Sequence, residues 1–325
     1  MEQKVEEIKQ SNNYQLQTII DIHDDSVMNI IILKDLRFAS SSCDKTIKIF
    51  NKDTYKIEIN ILEHKDYVAY IYQLKNEKLI SSSSDNTIKI FKLFKNSYNI
   101  EQILTGHSKP VKKTIELING DLVSCSWDKT IKIWNKNNNN LYTISFQFYE
   151  EREIHSVYEI NDKEFFSISC NNDFEEEDDR AITFYKINNK EYDIVNIIEN
   201  ITISGFQSNA IKLNEKYFLI SGKSKIYYID IITHNINKIY ELKKDSWISS
   251  LKLLNNGNLI TGDTIGLMIF KIIDNNLELI FDINNTDDNI DTENYHVISS
   301  IQEDSNKNII ISSYAGKIKI FSKTK

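Results

Sequence analysis

Three stretches of this chain repeat one another without a gap, and this repetition constrains the fold more than any other feature of the sequence. The stretches cover residues 40–50, 81–91 and 124–134. Each begins with serine, continues through an Asp-x-Thr-Ile-Lys-Ile segment and ends on an aromatic residue. A chain with internal repeats builds one small structural unit several times and stacks the copies. The first question is therefore how long the unit is and how often it occurs.

The repeating unit is longer than these stretches, because a histidine precedes each turn aspartate by the same interval. The pairs, each 21 residues apart, are His23 with Asp44, His64 with Asp85, and His107 with Asp128. Weaker copies follow, so that units end near residues 50, 91, 134, 185, 229, 270 and 321. Seven units are therefore predicted.

Each unit holds short runs of β-branched and aromatic residues between polar turns, with no helical period. Four such runs per unit, at a period of about forty residues, suit a radial propeller in which each sheet buries both faces. We expect an all-β fold: one seven-bladed propeller of four-stranded antiparallel blades over residues 14–325, after a polar leader at 1–13. The last unit ends near residue 321 without an outer strand, so residues 16–22 should pair into it and close the ring.

The third unit carries the residues of a known family. Its Gly106-His107 pair, with Ser124, Asp128 and Trp134, resembles the signature of the WD-repeat (G-protein β-subunit-like) propellers, and the resemblance extends over nearly the whole chain. The sequence departs from the family pattern at Asn51, Lys92 and Asn135, which replace the aspartate of the name-giving pair, and in units four to seven, which lack the histidine.

The resemblance implies a structural role for polar residues that recur in the first three units. In the family, the histidine bridges the aspartate and the serine, and the tryptophan donates its indole N–H to the chain, which satisfies buried polar groups. The residues are His23, Ser40 and Asp44; His64, Ser81 and Asp85; and His107, Ser124 and Asp128 with Trp134. Phe50 and Phe91 cannot donate, so the first two networks should be shorter.

Catalysis and metal binding are both disfavoured. Serine, histidine and aspartate are the residue types of a nucleophilic triad, but three copies in three blades fit a structural network better than three nucleophiles. The six histidines are dispersed, no Cys-x-x-Cys pair exists, and the acidic segment 173–179 lacks the glycine of a calcium loop. We expect no catalytic residue, no metal and no cofactor.

A partner should bind at the face that carries the aspartate turns and the histidine loops, because a four-stranded meander places both at one end. In the family, residues before the turn aspartate and shortly after the histidine contact partners. Alignment places Tyr67, Trp127, Phe206, Trp247, Tyr314, Met28, Lys112 and His155 there. The aromatics would form a shallow patch typical of interface hot spots. Packing over neighbouring blades is the alternative for each, and Trp127 is the leading candidate.

The composition of the chain indicates which classes of partner it can bind and in which cell compartment it lies. Lys and Arg number 39 against 47 Asp and Glu, a net charge of −8 that argues against nucleic acid. The acidic segment 173–179 indicates a basic peptide or protein, although such runs are usually solvated surface. Neither a signal peptide nor a long apolar run is found, and three cysteines without close pairing fit a reducing compartment. We expect a cytoplasmic or nuclear protein without membrane attachment, monomeric or in a hetero-complex.

Three functions stay open. The leading hypothesis is a non-enzymatic interaction scaffold or partner-recognition subunit. A propeller hydrolase or lyase would need polar side chains at the central channel, where Met28, Ala69 and Ser249 offer little chemistry. A structural ring subunit of a larger assembly usually carries helical or basic extensions that are lacking here. An adaptor of a cullin-type ubiquitin ligase is disfavoured, because residues 134–137 read Trp-Asn-Lys-Asn and not Trp-Asp-x-Arg.

Overall fold

The computed structural model describes residues 14–21, 23–170, 180–188, 191–203, 209–242, 247–263, 266–284 and 297–323. These residues form 28 strands in seven four-stranded antiparallel sheets, and no helix is found among them. The sheets are the blades of one propeller, so the predicted fold class and blade count are confirmed.

The strands follow one another in regular order around the ring. The first, β1 (Tyr14–Asp21), precedes the blades in sequence. Blade 1 contains β2 (Val27–Ile32), β3 (Phe38–Ser42), β4 (Ile47–Phe50) and β5 (Ile57–Ile61). Blade 2 contains β6 (Val68–Gln73), β7 (Leu79–Ser83), β8 (Ile88–Leu93) and β9 (Tyr98–Leu104). Blade 3 contains β10 (Val111–Glu116), β11 (Leu122–Ser126), β12 (Thr130–Lys136) and β13 (Tyr142–Tyr149).

The remaining blades repeat this plan. Blade 4 contains β14 (Glu153–Asn161), β15 (Glu164–Cys170), β16 (Arg180–Asn188) and β17 (Glu191–Glu199). Blade 5 contains β18 (Ala210–Lys212), β19 (Tyr217–Ser221), β20 (Lys225–Asp230) and β21 (Ile236–Glu241). Blade 6 contains β22 (Ser250–Leu253), β23 (Leu259–Gly262), β24 (Gly266–Ile273) and β25 (Asn276–Asn284). Blade 7 contains β26 (Ile298–Glu303), β27 (Ile309–Ser313), β28 (Lys317–Lys323) and β1.

The hydrophobic core is divided among the junctions between neighbouring blades. The strand β4, which reads Ile-Lys-Ile-Phe, is buried along its whole length, as expected of a strand covered on both faces. Among the described residues, seven clusters of buried apolar side chains occur, one at each blade junction. Ile47 and Ile49 of blade 1, for example, pack with Val68 and Phe91 of blade 2. No single centre dominates the packing, so each blade depends on both of its neighbours.

The two ends of the chain meet in blade 7. β1 pairs antiparallel with β28, from Tyr14 opposite Lys323 to Asp21 opposite Lys317. Ile20 of β1 is buried at the junction with blade 1. Ring closure by the N-terminal strand is therefore confirmed, although Ile22, the last residue of the predicted strand, lies outside the described residues.

The turn between the second and third strands keeps its shape almost without glycine. In blades 1, 2, 3 and 7 it contains Lys45, Asn86, Lys129 and Gly316, with φ of 72°, 68°, 66° and 76°. Positive φ is uncommon outside glycine and needs local support. In blade 1 this support comes from Asp44, whose Oδ1 accepts a hydrogen bond from the Thr46 N–H at 2.9 Å. In blades 1, 2 and 3, hydrogen bonds to the turn aspartate thus take the place of glycine.

The first strands line the centre of the ring, and many of them carry a β-bulge at the same position. In β2, β6, β10, β14 and β26 the register with the second strand shifts at Met28, Ala69, Lys112, His155 and Ser299, respectively. A bulge sets two residues opposite one on the partner strand, which interrupts the alternation of side chains. Consecutive residues, such as Lys112 and Lys113, therefore line the same central cavity.

Candidate functional site

A chain of side-chain hydrogen bonds runs through blade 3. The indole N–H of Trp134 donates to Ser124 Oγ at 2.8 Å, and the Ser124 hydroxyl donates to His107 Nε2 at 2.8 Å. The His107 Nδ1–H in turn donates to Asp128 Oδ2 at 2.8 Å. The chain therefore ties the loop before the first strand to the second and third strands and to the turn between them.

The same chain of hydrogen bonds recurs in blades 1 and 2, but without the tryptophan. His23 lies 2.7 Å from Asp44 Oδ2 and 2.6 Å from Ser40 Oγ. His64 lies 2.8 Å from Asp85 Oδ2 and 2.6 Å from Ser81 Oγ. Phe50 and Phe91 hold the pairing position of Trp134 and offer no N–H, so each chain ends at its serine.

Electrostatics and burial both favour a structural role for these chains. Burial alone would raise the pKa of Asp128, but hydrogen bonds from His107 and Thr130 outweigh it and hold the pKa well below its usual range. Burial lowers the pKa of His107, which leaves a neutral ring that donates at Nδ1 and accepts at Nε2. The Ser124 side chain is fully buried, so its hydroxyl is closed to a substrate.

Backbone hydrogen bonds join the turn residues to the loop residues at one end of the propeller. The N–H groups of Cys43, Ser84, Trp127 and Tyr314 donate to the carbonyl oxygens of Ser26, Tyr67, Pro110 and Val297, respectively, at 2.8 to 3.1 Å. In each of these four blades the residue before the turn aspartate position thus lies beside the loop that leads into the first strand. The sequence placed these residues on one face, and the geometry brings them together there.

Trp127 lies half-buried in a cluster that spans blades 3 and 4. The Lys112 ammonium lies 4.4 Å from the Trp127 ring centroid, which is a cation–π contact. The His155 ring lies 5.8 Å away, centroid to centroid, tilted by 55°. Within the described part of the chain, the Trp127 indole N–H has no hydrogen-bond partner.

The other predicted face residues differ in exposure. Tyr67 is 47 % exposed, and Met28 is half-buried at the central cavity. Trp247 is half-buried, with the Arg180 guanidinium 5.0 Å and the Lys223 ammonium 5.7 Å from its ring. Tyr314 is half-buried, and burial raises the pKa of its hydroxyl. Phe206 and the acidic segment 173–179 lie outside the described residues.

Comparison with known proteins agrees with this geometry. The family described as "WD domain, G-beta repeat" matches residues 14–51 and 99–135. The solved WD40 β-propeller domain of Doa1 superposes with a TM-score of 0.72 at 20 % identity, covering 96 % of this chain and 98 % of that one. The WD40 repeats of RRP9 superpose with a TM-score of 0.73 at 14 % identity, covering 96 % and 100 %. The chain therefore has the β-propeller fold, and the match to the WD-repeat family covers residues 14–51 and 99–135. A sequence search of curated proteins finds no match.

Blade 4 of this propeller builds its chain of hydrogen bonds from different residues. Ser167 Oγ donates to Glu150 Oε1 at 2.5 Å, and the Tyr185 hydroxyl donates to the same oxygen. Glu150 precedes Ser167 by 17 residues, the interval that separates His107 from Ser124. Glu150 was not predicted, because a histidine was expected at this position, although the interval of 17 residues repeats that of blade 3.

The central cavity holds more chemistry than the sequence led us to expect. Met28 and Ala69 do line it, but so do Lys112, Lys113, Tyr70, Tyr158 and His155. Ser249 is instead buried, with its hydroxyl donating to the Ile298 carbonyl oxygen at 2.6 Å. The sequence identified only Met28, Ala69 and Ser249 near the mouth. The further polar residues lie there because the bulges direct two consecutive residues of a first strand into the cavity.

Three further observations bear on what the site can hold. Among the described residues, no group of three or more His, Cys, Asp or Glu side chains is placed to share a metal ion. The described segments include no helix long and apolar enough to cross a membrane. Cys43, Cys125 and Cys170 form no disulfide within the described residues, and burial raises the pKa of Cys125 to about 12.

Proposed function

We propose that this WD-repeat propeller is a non-catalytic interaction or partner-recognition subunit. WD-repeat propellers are generally protein-interaction scaffolds. The partner face, as we define it, consists of the predicted residues Tyr67, Trp127, Trp247, Tyr314, Met28, Lys112 and His155, together with Phe206. The observation that carries the proposal is the half-buried Trp127 ring, held in place by Lys112 and His155 with its indole N–H unpartnered among the described residues.

The physics of this cluster suits binding. A tryptophan offers a large apolar surface and loses little conformational entropy on docking, which is why such residues dominate interface energetics. Lys112 and His155 already restrict the Trp127 ring, and the backbone bonds at the turns hold its loop. A face ordered before binding loses less entropy when the partner arrives.

The enzyme alternative has less support. The serine hydroxyls of the repeated networks are buried, and neither ring nitrogen of His155 bonds a nucleophile in the described part of the chain. A structural ring subunit of a larger assembly would bind through the same face, but its contact with the partner would be permanent. A partner that stays bound throughout purification supports the structural ring, whereas a partner that exchanges supports the recognition subunit.

The finer properties of the partner are part of the proposal. The net charge of −8 supports a protein or peptide partner over nucleic acid. The acidic segment 173–179 supports a basic region in that partner. We further propose a cytoplasmic or nuclear protein, monomeric or in a hetero-complex, with no membrane contact and no cofactor.

Affinity purification from the native cell, followed by mass spectrometry, tests the proposal. The wild type is compared with Trp127→Ala/Trp247→Ala. Ile118→Ala is the matched control, because Ile118 is 56 % exposed on the turn between β10 and β11, at the opposite end of the blade. We expect the double variant to lose a set of partners that the wild type and the control both retain. Equal recovery of every partner by all three proteins would reject the proposed face.

A further inference from the structure

The central cavity is lined by basic side chains in a chain whose net charge is negative. The space between its lining residues, counted together with the open solvent at its mouth, is about 480 Å³. The cavity is continuous with the partner face through Met28, Lys112 and His155. Two lysines, Lys112 and Lys113, line it, and none of the described residues that line it carries a carboxylate. Where these lysines are protonated, the local charge is opposite to the charge of the whole molecule.

Lys113 is a buried lysine whose Nζ has no oxygen partner among the described residues. Burial lowers its pKa to about 7, so the side chain is only partly protonated at pH 7, and a bound anion would favour its charged form. Its side chain is 7 % exposed, and its Nζ lies 3.4 Å from the centroid of the Tyr158 ring and 5.0 Å from that of Tyr70. Other buried lysines of the described chain bond oxygen: Lys89 donates to the Glu63 carbonyl and Lys48 to the Thr46 hydroxyl. Burying a charge is costly unless it is paired, and two aromatic faces offset only part of that cost.

His155 is a second buried polar group without a partner. It is 9 % exposed, and neither ring nitrogen has a hydrogen-bond partner among the described residues. Burial, reinforced by the positive charges of Lys112 and Arg180, lowers its pKa to about 3. The ring is therefore neutral at pH 7 and has an N–H donor available at the cavity.

We propose that this cavity binds one oxyanion, the carboxylate of an acidic side chain that a partner inserts from the partner face. Carboxylates and phosphates accept hydrogen bonds from an ammonium and from an imidazole N–H. Charge-assisted hydrogen bonds are stronger than hydrogen bonds between neutral groups. Lys113 would supply the charge, and Lys112 and His155 would border the anion. The inference rests on the proposed function for the source of the carboxylate, but not for the anion site itself.

The anion site is tested first on the purified protein, with sulfate as the probe. Sulfate is titrated by calorimetry at constant ionic strength into the wild type, into Lys113→Met, and into the control Lys109→Met, whose side chain is 55 % exposed. We expect saturable binding to the wild type and the control, and affinity lower by about tenfold or more for Lys113→Met. Equal titrations of all three proteins would overturn the proposal.

Nuclear magnetic resonance on the wild type tests the site without relying on the folding of Lys113→Met. With ¹⁵N-labelled histidine, sulfate should shift the ring resonances of His155 along a saturation curve. His234, on the turn between β20 and β21 at the opposite end of blade 5, should stay unchanged. A shift of both rings, or of neither, counts against the cavity as the site.

The source of the anion is decided with the partner itself. Partners recovered by the wild type are challenged with sulfate, and recovery by Lys113→Met is measured beside that of Trp127→Ala. If one partner is lost from Lys113→Met, from Trp127→Ala and from the wild type on addition of sulfate, the result supports a carboxylate that this partner inserts into the cavity. Loss with Trp127→Ala alone leaves the proposed function standing and overturns the inserted carboxylate. Saturable sulfate binding without any Trp127-dependent partner assigns the cavity to a free anion and rejects the proposed function.

Discussion

At the scale of single residues, Asp128 shows how a charge can be kept inside a β-structure. Its Oδ2 accepts bonds from His107 and from the Ser108 N–H at 3.0 Å. Its Oδ1 accepts bonds from the N–H and the hydroxyl of Thr130, at 2.9 and 2.5 Å. These bonds replace the water that the carboxylate loses, and they support the positive φ of the next residue, Lys129.

Replacing Asp128 should destabilise the propeller. In Asp128→Ala the His107 Nδ1–H is left buried without its acceptor, so we expect the free energy of unfolding to fall by about 1–3 kcal/mol. Urea unfolding followed by circular dichroism measures the difference. Asp24→Ala, at an exposed position on the same face, is the control. A free energy of unfolding for Asp128→Ala equal to that of the control would contradict a structural role for the network.

The same carboxylates predict an acid transition. The pKa values of Asp44, Asp85 and Asp128 are lowered in the folded state, because their hydrogen bonds outweigh the opposing effect of burial. Their stabilisation is complete above the ordinary pKa of 3.8 and is lost as the pH falls toward the lower folded values. We expect the melting temperature to fall steeply below about pH 4, and less steeply in Asp128→Asn. Parallel curves for the two proteins would refute the assignment to Asp128.

At the scale of elements, the repeats predicted the strands well and the bulges not at all. Runs such as Thr-Ile-Lys-Ile-Phe identify strands buried on both faces, and the three aligned turns fix their order. A β-bulge leaves no comparable pattern, since it is an extra residue within a strand whose composition does not change. Lys113 and Tyr70 therefore could not be assigned to the cavity from the sequence, although the neighbouring Ala69 was placed at the channel mouth and Lys112 on the partner face.

The element with the greatest effect on the whole ring is β1. Deleting residues 1–22 removes the outer strand of blade 7, exposes the edge of β28 and uncovers the junction that buries Ile20. We expect a melting temperature lower by about 5 °C or more, and aggregation on heating. Deletion of residues 1–13, which leaves β1 whole, is the control. A melting temperature unchanged by the longer deletion would show that the ring does not depend on this closure.

At the scale of the whole molecule, the ring presents two unlike ends. One end carries the aspartate turns, the Trp127 cluster and the cavity with its two lysines, whereas the other carries the turns between first and second strands. The location of this face was predictable, because strand order in a meander determines which turns share an end. The burial of its aromatics was not, because Lys112 and His155 reach Trp127 from positions that only the packed blades bring together.

Hydrogen–deuterium exchange on the propeller, with and without a partner recovered through the Trp127-dependent purification, tests the proposed face most directly. We predict that binding slows exchange in the loops and turns of residues 64–69, 84–86, 107–112 and 127–129, which lie at the partner face. Exchange in the opposite turns, residues 35–37, 76–78 and 118–120, should not change. Protection confined to those opposite turns, or to the outer strands, would contradict the account.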